Sequence, residues 1–265
     1  VNSDTVALNL NSLVRQFGGW TNHNIRLAPD LYTMGPSATG AEVKLRRFTQ
    51  VAVDFFGGSL SGIRALDLAC LEGLYGLELA LRGASVVAVE GRESNLAKAR
   101  FAGEALGVRN IEFVRDDVRN LRRERYGTFD LVLCIGIFYH LDAPDVFRFA
   151  ESIADVCTRI AIVDTHVATA SRRTYVHKGR VYRGRHFRED DTPWAAIGNR
   201  RSVWLTRSSL YELLQEVGFT SVYECRVPDV PKYDRMRRRG SADRSTFIAM
   251  KGRPVRPMVI DRMAQ

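Results

Sequence analysis

The sequence predicts an α/β protein with a doubly wound, mostly parallel sheet, and three observations carry that prediction. Between residues 64 and 164, short apolar runs alternate with amphipathic ones. The apolar runs lack polar alternation, as strands do when helices cover both faces of a sheet. The links between runs are short, as strand–helix–strand units require.

Each element follows from local pattern. Residues 1–41 are punctuated by Gly18-Gly19-Trp20, Pro29, Gly35-Pro36 and Gly40, which predicts an irregular arm or cap. From Glu42 to Phe56, Leu45, Phe48, Ala52, Phe55 and Phe56 form a helical stripe that Gly57-Gly58 ends. Strands are expected over 64–68, 85–89, 111–115, 129–135 and 158–164. Helices are expected over 74–82, 94–106 and 144–157, with a short helical stretch after residue 115. The rhythm stops after Asp164 and returns with 203–205, a helix over 208–217 and strands over 221–226 and 245–251. No clear helix lies between those last two strands, so they suggest an antiparallel addition at one sheet edge. The reading is one domain over 42–252, a lid-like insert over 166–202 and a basic tail over 253–265.

Composition narrows the function class. No apolar run approaches the ~20 residues of a membrane span, and no secretory-type leader opens the sequence. Cys70, Cys134, Cys157 and Cys225 are scattered without metal or disulfide spacing, which points to reduced thiols, a cytoplasmic setting and no structural metal. The net charge of +9 is uneven: residues 171–201, 232–244 and 251–265 together carry +13, leaving −4 for the rest. Positive charge in the late loops suggests an anionic substrate or partner, set against the plainer reading of a solvated arginine-rich surface.

In an open parallel sheet, ligands bind past the carboxyl ends of the strands, so the candidates sit there. The first strand ends on Asp67 and runs through Ala69, Cys70 and Leu71 to Gly73. The second ends in Glu90-Gly91, where an acid can accept two ribose hydroxyls. The third ends in Asp116-Asp117-Val118, an acid and an apolar residue suited to an adenine amino group and ring face. The fourth ends in "CIGIFYHL", from Cys134 and Ile135 to Leu141.

This set resembles the class I S-adenosylmethionine-dependent methyltransferases over roughly Leu45 to Lys251. The family's D-x-G-x-G-x-G loop falls on Asp67, Ala69, Leu71 and Gly73, its ribose acid on Glu90, and its adenine acid on Asp117 or Asp116. The resemblance implies a Rossmann-like seven-stranded sheet with an antiparallel last strand. It also implies S-adenosyl-L-methionine as cofactor and S-adenosyl-L-homocysteine as product. Two of the three loop glycines are absent. Dinucleotide enzymes need them for close approach to a pyrophosphate, which S-adenosylmethionine lacks. Ala69 adds only a methyl group, and Leu71 fits if its φ is negative.

Methyl transfer needs alignment, exclusion of water and, for a hydroxyl acceptor, removal of a proton. His140, flanked by Tyr139 and Asp142, is the first base candidate. Asp164 and His166, expected just past the fifth strand and on one side of an extended chain, form the second. Trp20, His23, Asn24 and Tyr32 could close over the pocket from the arm, the alternative for Trp20 being plain packing. In the insert, Tyr175, Tyr182, Phe187 and Trp194 interleave with arginines, and Arg200, Arg201 and Trp204 are substrate candidates. Trp and His before the first helix, "YH" after the fourth strand and "GNRRSVWLTRSSLYELLQEVGF" are similar to one branch of the family. That branch holds wobble-uridine tRNA methyltransferase-like enzymes and small-molecule or glycan O-methyltransferases. Leu141 stands where the tRNA enzymes carry arginine, which turns the reading from tRNA. The favoured function is O-methylation of a polar hydroxylated small molecule or sugar, an anionic handle on it being one option. RNA methylation and a non-catalytic cofactor-binding module are the alternatives.

Overall fold

The computed structural model describes residues 3–36, 42–190, 192, 194–228, 231–240 and 243–252. It opens with a helix where glycine and proline suggested an irregular arm. Helix α1 (Ser3–Phe17) buries Val6 and Leu10, and a small ribbon, β1 (Arg26–Ala28) and β2 (Leu31–Tyr32), follows. The helical spacing of Val6, Leu10, Leu13 and Val14 precedes the punctuation that begins at Gly18, so the helix ends where the breakers start.

The alternating core then runs α2 (Glu42–Phe55), β3 (Arg64–Leu68), α3 (Leu74–Leu81), β4 (Ser85–Glu90), α4 (Glu93–Ala105) and β5 (Ile111–Arg115). A single-turn α5 (Arg123–Tyr126), β6 (Phe129–Ile135), α6 (Asp145–Val156) and β7 (Cys157–Val167) continue it. Strand β7 runs to Val167, so Asp164 and His166 lie within it and not past its end. The insert is not irregular. It contains β8 (Thr174–His177), β9 (Arg180–Arg188) and β10 (Arg201–Leu205), a three-stranded antiparallel sheet of order β10-β9-β8. Lys178 and Gly179, both at positive φ (49° and 78°), turn the hairpin between β8 and β9. Arginines fill most of the exposed positions of β9, which conceals its strand period. The chain ends its described part with α7 (Arg207–Glu216), β11 (Ser221–Cys225), α8 (Pro231–Arg238) and β12 (Asp243–Met250). Helix α8 fills the stretch expected to lack a helix; its basic run hides the apolar positions that Tyr233 and Met236 supply. The expected basic tail over 253–265 lies outside the described residues.

The main sheet has seven strands in the order β11-β12-β7-β6-β3-β4-β5. Strands β3 to β7 are parallel, and β12 runs antiparallel between β7 and β11. The order reverses between β3 and β6, which puts a ligand-binding crevice above Asp67 and Ile135. One face carries a core with Phe48, Leu77, Leu79 and Ala102 from α2, α3 and α4; the other carries Phe147, Phe149, Leu210 and Leu213 from α6 and α7. Among the described residues no helix is long and apolar enough to cross a membrane.

Candidate active site

The loop after β3 keeps a glycine-type backbone without the glycines. Ala69, Leu71 and Gly73 all have positive φ, at 54°, 52° and 87°. The expectation of a negative φ at Leu71 is overturned. Left-handed backbone costs a residue with a Cβ about 1–2 kcal/mol, so neighbours must fix the loop. They do so on three sides. The Leu71 N–H donates to Glu90 at 3.0 Å. The fully buried Glu72 carboxylate accepts the backbone N–H groups of Thr21, Asn22 and His23 at 2.7, 3.2 and 3.1 Å, with the Lys98 ammonium 3.5 Å away. The Leu74 N–H donates to His23 Nδ1 at 3.2 Å, which caps α3. At Gly73 a Cβ would lie 2.9 Å from that of Ala99, so glycine survives where α4 presses on the loop.

His23 is therefore a buried cap in the arm. Burial, helped by Lys44, pushes its imidazole down to about 3, so it stays neutral and accepts from Leu74. Trp20 is packed as well, edge-on to Phe101 at 6.3 Å and 5.7 Å from the Lys98 ammonium. Asn24 and Tyr32 belong to the ribbon, where the Asn24 amide donates to the Gly35 carbonyl at 2.8 Å. Glu72 was not singled out from the sequence, although an acid between Leu71 and Gly73 is unusual in so apolar a loop.

The strand-end acids have separate tasks. Asp67 accepts the Gly76 N–H at 2.9 Å, and burial, with a smaller push from Glu90, raises its carboxyl to about 7. Glu90 accepts from Leu71 and from the Arg92 N–H at 2.8 Å, with the Asn95 side chain as a further donor beside it, which leaves part of its acceptor capacity free. Burial moves its carboxyl upward. Asp116 is committed to the protein: it bonds Tyr126 and Asn120 and pairs with Arg125 at 3.0 Å. Asp117 caps the turn that contains Val118 by accepting the Arg119 N–H at 2.9 Å, and its side chain faces the Arg119 guanidinium. Cys70 and Cys134 are buried and burial pushes both thiols up, so they act as apolar lining.

The insert reaches back over this rim. Arg92 donates to the Ala195 carbonyl at 2.8 Å, and Arg119 to the Ile197 carbonyl at 3.0 Å. A Cβ on Gly91 would come within 2.7 Å of the Ile197 Cδ1, so the insert packs closely over that glycine.

At the carboxyl ends of β6 and β7 lies an aromatic cluster. Trp204 stacks on His166 (4.6 Å, 11°) and on Phe187 (4.4 Å, 14°), and Tyr139 meets His166 edge-on at 4.5 Å. His140 follows Tyr139, is 8% exposed, and places Nδ1 2.9 Å from Glu189 of the insert. Beside the cluster Asp164 is enclosed by Arg244 at 2.6 Å, the Thr246 hydroxyl at 2.9 Å and Lys44 at 3.6 Å. Burial alone would raise its carboxyl; Arg244 and Lys44 hold it down to about 2, which makes Asp164 a fixed anion and a poor base. Burial and Arg244 also lower His166 to about 3. Gly136 (φ 83°) keeps the strand end clear of the Arg244 guanidinium, 3.1 Å from where a Cβ would stand. Lys44, Arg244 and Glu189, with Tyr233, whose ring lies 5.3 Å from the Lys44 ammonium and 5.4 Å from the Arg244 guanidinium, thus join the site unforeseen, since each comes from an element distant in sequence. Arg200 and Arg201 are exposed, with Arg201 opposite Arg188 in the sheet and on the strand face away from Trp204. Trp194 is also exposed, and Tyr175 and Tyr182 pack on Phe147, so the structure does not bring these to the cluster. Among the described residues no group of His, Cys, Asp and Glu could hold a metal ion.

A crevice at the strand-order reversal, with an acid at each of three adjoining strand ends, belongs to the nucleoside-cofactor sites of doubly wound sheets. Residues 65–159 match the methyltransferase domain family, so that stretch is similar to class I S-adenosylmethionine-dependent methyltransferase domains. Over 115 residues it is 30% identical to the ubiquinone biosynthesis O-methyltransferase of Acinetobacter baumannii (strain AYE), covering 43% of this chain and 46% of that one. The enzyme of that name from Bordetella pertussis (strain Tohama I) is 32% identical over 104 residues, 39% of this chain and 40% of its own. The chain thus spans less than half the length of these curated relatives. The crystal structure of the N-terminal domain of EvdMO1 in the presence of SAH and D-fucose superposes with a TM-score of 0.72 at 25% identity, over 95% of this chain and 98% of that one. An S-adenosylmethionine-dependent methyltransferase from Clostridium acetobutylicum ATCC 824 shares the fold, with a TM-score of 0.56 at 16% identity over 82% and 94% of the two chains.

Proposed function

We propose that this protein methylates a hydroxyl of a polar small molecule or sugar, with His140 as the base. The observation that carries this reading is the placement of a buried imidazole in the turn after β6, against the Tyr139 ring of the aromatic cluster. The residues fit the donor: Glu90 retains acceptor capacity for ribose hydroxyls, Asp117 stands at the rim for an adenine amino group, and the loop's left-handed backbone keeps the crevice open. S-adenosylmethionine bound there supplies a methyl group on a positively charged sulfur, so transfer leaves a neutral thioether. His140 takes the proton that the acceptor hydroxyl loses as its oxygen bonds the methyl carbon. Half-buried Tyr139 and His166 offer apolar and edge-polar surface of the kind that sugars pack on, backed by Trp204, which is stacked against His166 and Phe187. The neighbour solved in the presence of D-fucose supports a sugar acceptor. Two buried cations, Lys44 and Arg244, face one carboxylate, Asp164, which suits an acceptor carrying negative charge.

The test is calorimetric titration with S-adenosylmethionine and S-adenosylhomocysteine, followed by a screen of sugars and phenols. Both ligands should bind, and Glu90→Ala should weaken binding about tenfold or more, since it removes hydrogen bonds to a charged acceptor. His140→Gln should lower turnover and leave the affinity for S-adenosylhomocysteine unchanged. Absence of binding to either ligand would refute the cofactor assignment, and an unchanged rate in His140→Gln would remove His140 as base.

A further inference from the structure

We infer that Glu189 is a positioning residue for His140: its carboxylate fixes the imidazole with the proton on Nδ1, so that Nε2 is the nitrogen left to accept a proton. This rests on the proposed role of His140 and adds the group that sets its tautomer and orientation.

The geometry is specific. Glu189 Oε2 lies 2.9 Å from His140 Nδ1 and also accepts the Ala196 N–H at 3.1 Å. Its side chain is 3% exposed and that of His140 10%, so water does not compete for the contact. An ionised carboxylate only accepts hydrogen bonds, so the nitrogen facing it must carry a hydrogen. The bonds with His140 and the Ala196 N–H outweigh burial and hold the Glu189 carboxyl below its ordinary range, which keeps it ionised near neutral pH. A neutral imidazole has one hydrogen to place. With Nδ1 occupied, Nε2 presents the lone pair.

The backbone around both residues is held as firmly as the side chains. The Asn199 amide donates to the His140 carbonyl at 2.9 Å, and the Glu189 N–H donates to the Arg200 carbonyl at 3.0 Å. Between these points Ala195 and Ile197 accept from Arg92 and Arg119 at the cofactor rim. The stretch that supplies the acid is thus tied to His140 at both ends, through Glu189 and Asn199, and to the residues of the cofactor rim between them. A residue 49 positions away in sequence reaches His140 because β9 carries it there, and β10 brings Asn199 and Ser202 alongside. A charged acceptor behind an imidazole also stabilises the imidazolium that forms when Nε2 takes a proton.

The experiment uses the full chain labelled with ¹⁵N-histidine and saturated with S-adenosylhomocysteine, its His140 resonances assigned by their loss in His140→Gln. The expected wild-type signature is a single Nδ1–H tautomer with a protected Nδ1 proton. Glu189→Ala should lose that proton and move His140 toward the Nε2–H form. Glu189→Gln, which retains an acceptor oxygen without the charge, should keep the Nδ1–H tautomer. It should still lower kcat about tenfold or more with little change in the acceptor KM. A wild-type Nε2–H tautomer, or an Nδ1–H signature that survives Glu189→Ala, would overturn the inference. If the Nδ1–H signature depends on Glu189 while His140→Gln turns over normally, the positioning contact stands and the base reading falls.

Discussion

Glu72→Ala is the substitution that most directly tests how the substituted loop is held. It removes a buried carboxylate that joins three backbone N–H groups of the arm to the loop between β3 and α3. Breaking a buried ion pair by deleting one partner typically costs about 3–5 kcal/mol. The Lys98 ammonium keeps the Gly19 carbonyl at 2.7 Å, so the lower end applies, about 3 kcal/mol. For a chain of this size that lowers Tm by about 6–12 °C. The effect should not stop at stability. Ala69 and Leu71 hold left-handed backbone at about 1–2 kcal/mol each, and freed of the arm the loop can relax toward negative φ. Affinity for S-adenosylhomocysteine should then fall along with stability. Urea unfolding and calorimetric titration read the two effects separately, and Glu72→Gln, with one acceptor oxygen left, should fall between wild type and alanine. A stability loss below about 1 kcal/mol, or unchanged affinity in a destabilised variant, would refute the account of Glu72 as the pin of the loop.

Two further outcomes follow from the same region. Ala69→Gly should stabilise the protein by about 0.5–1 kcal/mol, because glycine takes the 54° φ without the Cβ penalty; equal or lower stability in thermal unfolding would count against a strained loop. His23, lowered from 6.5 to about 3 by burial, contributes stability that is present above pH 6.5 and lost as the pH falls toward 3, because only the unfolded chain protonates in that window. The stability advantage of wild type over His23→Gln should therefore shrink by about 2 kcal/mol between pH 7 and pH 5. A constant difference across that range would show that His23 is not buried as a neutral cap.

The parallel core was legible because its signal is local. Each strand from β3 to β7 is built on a short apolar run, and α3 and α4 end at Gly83 and Gly107, so predicted ends fall within a few residues of the observed ones. The pattern failed where arginine intrudes. Strand β9 reads "RVYRGRHFR", in which Tyr182 and Gly184 are buried between exposed Val181 and Arg183 and half-buried Arg185. Arginine stems can cover a sheet while their heads stay in water, so a real alternation looks like a solvated charge run. Helix α8 was missed for a similar reason: Tyr233 and Met236 are its only large apolar residues, amid a lysine and several arginines.

The site divides along the same line between local and assembled features. Asp67, Glu90 and Asp117 stand directly at strand ends, where a parallel sheet must present its ligands, and each could be named from its position alone. Asp164 also stands in line with them, opposite Ile135 on β6, yet its neighbours Arg244 and Lys44 come from β12 and α2 and turn a candidate base into a fixed counter-ion. What decides the chemistry of a carboxylate or an imidazole is the charge and water around it, and the fold assembles those from residues far apart in sequence. His140 shows the same dependence with the opposite result. Its sequence neighbours are Tyr139 and Leu141, and nothing in them selects one tautomer. Glu189, carried to it by the insert, supplies the asymmetry that makes one ring nitrogen a donor and the other an acceptor.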